Sequence, residues 1–150
     1  MRLCCHAWGL PSVWLVDYGM KTQKITIEIA QLPPRELSPH RGLFDLGREM
    51  AKGALKGRWR SWAYFLALEQ LKGKQLRWER ARISVTIYAK DRRNIWDADN
   101  LIAALDPVAD GLVDAQLLRD DRGVEWAVPR WVLGKEPRTV IEVEEIAPAK

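Results

Sequence analysis

Two segments that alternate branched apolar residues with polar ones constrain the architecture of this chain most. Lys24–Ala30 places Ile25, Ile27 and Ile29 between Thr26 and Glu28, and Arg82–Ala89 places Ile83, Val85 and Ile87 between Ser84, Thr86 and Tyr88. Period two puts each apolar set on one face of a strand, so each segment predicts a strand with one face buried and one face wet. Between them, from Leu43 to about Leu71, the apolar period changes to the helical one, with Leu43, Leu46 and Met50, then Trp62, Phe65, Leu66 and Leu68. Gly53 and Gly57 divide this stretch into two helices or weaken one. Strand, helix and strand in that order predict an α+β protein, a small mixed sheet packed with helices.

The segments around these elements are read in the same way. Pro33, Pro34 and Pro39 make 31–42 a loop, because proline has no backbone N–H to donate. After a helix that opens near Asp97, Val124–Val132 and Thr139–Val143 predict two more strands, separated by a turn at Gly134–Pro137. Met1–Gly19 carries both cysteines, two tryptophans and almost no charge. Arg2 is its only basic residue, Pro11 interrupts the apolar part and no small-residue cleavage site follows, so it does not read as a secretory signal. It is expected to be an extension that a core domain spanning 20–150 does not need.

Composition limits the chemistry. The 150 residues suit one core, and no apolar run reaches the ~18–20 residues of a membrane helix. Cys4 and Cys5 are adjacent, and with only His6 and His40 to add they make neither a disulfide scaffold nor a cysteine-based zinc site. The net charge of +4 conceals an asymmetry: 21–96 carry 17 Lys/Arg against 7 Asp/Glu, and 97–150 carry 6 against 12. A basic part beside an acidic part suits a protein that holds a polyanion with one and a divalent cation with the other. The basic residues Lys56, Arg58, Arg60, Lys72, Lys74, Arg77, Lys90, Arg92 and Arg93 are the candidates for binding nucleic-acid phosphates. Trp59, set among several of them, is either core or an exposed ring for stacking on bases.

The acidic part has its own pattern. Residues 97–121 hold seven aspartates and one basic residue, Arg119. Asp97 and Asp99 lie two apart where a loop enters a helix, so one of them can cap it. Along that helix Leu101, Leu105, Val108 and Leu112 form one stripe, and Asp99, Asp106 and Asp110 form another; Pro107 is expected to kink it. Asp120 and Asp121 follow as a pair. Crowded carboxylates repel unless cations neutralise them, and an all-oxygen set suits Mg²⁺ or Mn²⁺, which can drive displacement at phosphorus. The plainer alternative is a cap, a solvated helix face and a turn.

The runs Asp97-Ala98-Asp99-Asn100-Leu101, Asp110-Gly111-Leu112-Val113 and Leu118-Arg119-Asp120-Asp121 resemble the RusA family of crossover-junction endodeoxyribonucleases, common in phages and prophages. The resemblance is specific over Asp97–Asp121 and follows the element order from Lys24 to about Ile146. It implies a RusA-like fold and a Mg²⁺-dependent homodimer, with Mn²⁺ as an alternative ion, that resolves four-way (Holliday) DNA junctions by paired phosphodiester hydrolysis in a bacterial or phage-infected cytoplasm. It further implies that Asp97, Asp99 and Asp121 are the metal-binding catalytic carboxylates, with Asp110 and Asp120 as supporting acids. A functional lysine of the family falls at Asp106, where this chain has an acid. That departure leaves three openings: a basic residue such as Arg93, Arg119 or Arg122 substitutes, Asp106 joins the supporting acids, or the protein binds junctions and cuts them poorly. A metal-dependent nucleotide-sugar transferase also uses an Asp-x-Asp pair, but no glycine-rich phosphate loop accompanies it here.

Overall fold

A computed structural model describes residues 23–39, 46–93 and 95–147, with only the backbone of 46–48. Met1–Gly19, the cysteines, both histidines and Leu43 lie outside the described residues. The elements run β1 (Lys24–Ile29), a 3-10 turn (Arg35–Leu37), α1 (Leu46–Leu71), β2 (Ala81–Ala89), α2 (Ala98–Asp114), a second 3-10 turn (Asp121–Gly123), β3 (Val124–Trp126), β4 (Arg130–Leu133) and β5 (Arg138–Glu145). This is a small α+β fold with a mixed five-stranded sheet and two long helices.

The sheet order is β1-β5-β2-β3, with β4 also paired to β2. β5 is antiparallel to both β1 and β2, and β3 and β4 are parallel to β2. The register lines up the alternating residues seen in the sequence. Ile27, Ile141 and Val85 form one row across the sheet, and Ile25, Val143 and Ile83 form the next, all buried. The third row is Ile29, Thr139 and Ile87, and the buried Thr139 hydroxyl donates to the Gln31 carbonyl at 2.7 Å. The other face of the sheet stays wet and is laced with ion pairs, among them Lys24–Glu142 at 2.9 Å and Arg138–Glu28 at 3.2 Å. Parallel pairing requires a crossover, and α2 provides it between β2 and β3.

Both helices cover the apolar face. α1 is one helix through Gly53 and Gly57, the second of the two expected arrangements. Its buried stripe is Trp59, Ala63, Ala67 and Leu71, at steady spacings of four. Trp59 is therefore core, only 1 % exposed, which excludes it as a free stacking ring. The stripe expected from Trp62, Phe65, Leu66 and Leu68 is shifted around the helix: Trp62 and Leu66 are half-buried at its margin, while Phe65 and Leu68 are exposed, as is Met50. The small alanines at the interface let the two helices approach, and large residues drew the sequence reading to the wrong side.

In α2 the expected stripe holds, with Leu101, Leu105, Val108 and Leu112 fully buried. Pro107 lies inside the helix and does not end it. The carbonyl it deprives of a donor belongs to Ala103, an exposed residue whose carbonyl water can satisfy. Gly111 is where α2 meets α1: a Cβ there would collide with the Arg60 carbonyl and lie 2.9 Å from the Ala63 Cβ.

The strand expected over Val124–Val132 is broken. Partners along β2 are offset by 43 at Ala81–Val124 and by 44 at Thr86–Arg130, so one extra residue enters between β3 and β4. Ala127 still donates to the Ile83 carbonyl at 2.9 Å, but Pro129 has no N–H to continue the ladder. The final strand is longer than expected, reaching Arg138 and Glu145.

Candidate functional site

The two ends of α2 hold separate groups of aspartates. Asp97 is the N-cap residue: its backbone is extended and its carbonyl accepts from Leu101 N at 3.1 Å, yet its carboxylate makes no capping bond. Asp99 is exposed in the first turn. The free N–H groups and the dipole at a helix start favour carboxylate charge there. Capping alone therefore does not account for the Asp97 side chain, which has no hydrogen-bond partner among the described residues.

That side chain borders a cleft of about 300 Å³ lined by Arg35, Ser38, Arg93, Ile95, Trp96, Asp97 and Asn100. Three segments meet there: the 3-10 turn of the proline-rich loop, the basic loop after β2, and the start of α2. Arg93 reaches outward with its side chain 89 % exposed, and its closest carboxylate, Asp91, is 4.0 Å away. Asp91 also accepts from the Arg93 backbone N–H at 3.0 Å, which tightens the turn.

The far end of α2 is different. Arg60 of α1 grips Asp114 with two nitrogens, at 2.6 and 3.0 Å, which holds the Asp114 carboxyl below the usual carboxylate range and raises the guanidinium further. Asp120 accepts from Arg122 N at 3.0 Å and starts the second 3-10 turn. The neighbouring Asp120 and Asp121 carboxyls act on each other, which lowers Asp120 and raises Asp121; the Arg122 backbone N–H adds to the first effect and partial desolvation to the second. Asp110 and Asp121 line one depression of about 180 Å³ with Arg60, Asp114, Arg119 and Asp120. Asp106 is exposed as a residue, but partial desolvation of its carboxyl, with Asp110 and Asp121 nearby, raises it against the opposing pull of Lys56.

Within one chain the three expected metal ligands do not converge. Asp99 and Asp110 are eleven residues apart on α2, about 16 Å along the axis at about 1.5 Å per residue, and Asp121 sits beside Asp110. Among the described residues no three Asp, Glu, His or Cys side chains are grouped so as to hold an ion. Asp97 and Asp99 remain a pair of hard oxygen donors, the number Mg²⁺ typically takes from a protein before water and substrate phosphate complete its shell. Asp97 and Asp99 thus lie at the start of α2, and Asp121 follows its end.

The basic candidates divide as well. Lys90, Arg92 and Arg93 lie on the exposed loop that leads to Asp97, and Lys56 and Arg58 are exposed on α1. Arg60 is committed to Asp114, and Arg77 donates to the Gln116 side chain at 2.7 Å, tying the loop before β2 to the end of α2. Lys72 and Lys74 are exposed near that far end. Arg35, Ser38 and Trp96 were not legible as site residues; Trp96 adjoins the motif, but nothing in the sequence brings the Arg35 loop to it. No described helix is long and apolar enough to cross a membrane. The chain matches no model of a known protein family and has no significant match among curated proteins.

Proposed function

We propose that this protein is a metal-dependent endodeoxyribonuclease of the RusA kind, acting on four-way DNA junctions as a homodimer in a bacterial or phage-infected cell. The observation that carries the reading is the start of α2, where the Asp-x-Asp-Asn-Leu run leaves the Asp97 carboxylate without a partner among the described residues, beside a cleft also lined by Arg35 and Arg93. Asp97 and Asp99 would hold Mg²⁺ or Mn²⁺, whose charge polarises a phosphodiester toward hydrolysis. Arg93, with Lys90 and Arg92 beside it, supplies positive charge for backbone phosphates, so binding should weaken steeply with salt. A two-fold assembly matches the two symmetric scissile phosphates of a junction.

The second reading is a protein that binds junctions and cuts them weakly or not at all. It is favoured by Asp121 lying at the far end of α2 and by Asp106, an acid where the resemblance leads one to expect a lysine. Cleavage of a labelled mobile four-way junction in Mg²⁺, Mn²⁺ or EDTA, with Asp99→Asn as control, separates the two. Metal-dependent paired nicks that vanish in the variant support the endonuclease; tight binding without nicks supports the second reading.

A further inference from the structure

The proline-rich loop was read from sequence only as a connector, yet its 3-10 turn forms one wall of the cleft at Asp97. Leu37 is buried in the core and fixes that turn, and its neighbours Arg35 and Ser38 line the opening. Arg93, Trp96 and Asn100 line the same opening. Its lining thus includes two arginines, one carboxylate, Asp97, and an aromatic residue. The volume, about 300 Å³, is at the small end of ligand cavities and suits one nucleotide, not a paired segment.

From this arrangement we infer that the cleft binds one nucleotide of an unpaired DNA strand, with Arg35 and Arg93 on its phosphate and Trp96 against its base. The inference rests on the reading of the chain as a nuclease or junction-binding protein and names where the strand beside Asp97 is held. Charge on phosphate and a ring on the base is the combination by which proteins hold single strands without reading sequence. The two arginines come from loops far apart in sequence, so their grip depends on the folded cleft and not on local basicity. Arg35 is a positioning residue here: it sets the strand relative to Asp97 and Asp99.

The test is fluorescence anisotropy of a short 5′-labelled oligothymidine titrated with the full chain in EDTA over a range of salt. Arg35→Gln and Arg93→Gln should each weaken binding by roughly tenfold and lower the salt slope by about 0.7, the loss of one single-strand phosphate contact. Arg35→Lys should keep the slope while weakening binding less. Trp96→Leu should weaken binding by about 5–100-fold with the slope unchanged, and Trp96→Phe, which keeps a ring and the packing, should recover most of it. Lys24→Gln, on the wet face of the sheet, should change neither. Failure of the natural protein to bind the oligonucleotide, or binding unaltered in both Arg35→Gln and Trp96→Leu, overturns the inference. Junction cleavage is scored separately: nicking without oligonucleotide binding sinks this inference and leaves the nuclease reading standing, whereas Arg35-dependent binding without nicking does the reverse.

Discussion

The start and the end of α2 carry the same residue type to opposite purposes. At the end, Asp114 is held by Arg60 and fastens α2 to α1, and Asp120 accepts from the Arg122 backbone and closes the turn that follows. At the start, Asp97 forgoes the capping bond its position offers, and Arg35 and Arg93 line the same cleft. Aspartates satisfied within the protein indicate structure; those left to water and to a cleft indicate a ligand. The contrast sets the start of α2 apart as the place a ligand would find open carboxylates, and its end as a place where the Arg60–Asp114 pair ties two helices together.

The largest effect that could break this division is on cleavage. Asp97→Asn and Asp99→Asn should each reduce junction nicking by about 100-fold or more, as expected when a group that stabilises transition-state charge is lost, with little change in melting temperature. Asp121→Asn should reduce it far less. An equal loss in Asp121→Asn would mean that the far end also reaches the reacting phosphate, in one chain or from a second copy, and the division would fall.

Stability should show the reverse order. Gly111→Ala forces α2 off the Arg60 carbonyl and should cost about 1–3 kcal/mol in urea unfolding, the usual range for overpacking. Asn100→Ala, near the other end, should stay within about 0.5 kcal/mol. Smaller effects come from titration. Asp114 sits below its ordinary value, so its contribution is present above the usual carboxylate range and is lost as pH falls through its depressed value; Asp114→Asn should be destabilised at neutral pH and equal the natural protein in strong acid. Asp106 sits above its ordinary value, so its ionised form disfavours the fold at neutral pH. Asp106→Asn should melt slightly higher there, by about 1–3 °C, and the gain should vanish as pH falls below about 4. A chain stabilised by Asp106→Lys but no faster at nicking would show that this position matters to structure alone.

Much of this fold was legible because strand periodicity is unambiguous where one face is buried: a one-residue slip of Ile25 to Ile29 or Ile83 to Ile87 against β5 would expose every isoleucine. α1 misled because its interface is alanine, with Ala63 and Ala67 carrying less hydrophobic signal than the exposed Phe65, which is 65 % accessible. The break at Pro129 was signalled by the proline itself and was overridden by the valines around it. In the site, adjacency in sequence exposed the Asp97–Asp99 pair, whereas Asp121 was grouped with them only by the family resemblance and lies past the other end of α2. Arg35 could not have been placed, because its approach to Asp97 depends on how the loop after β1 seats Leu37.

The break between β3 and β4 also governs what this sheet can associate with. An outer strand normally exposes a continuous row of backbone donors and acceptors on which another chain can build. Here the row is interrupted by Pro129 and shifted by one residue, with Val128 thrust outward at 79 % exposure, so a newcomer could match three or four residues before losing step. The sheet is thereby protected from growing indefinitely along that side, and fibrous self-assembly through it is starved of template.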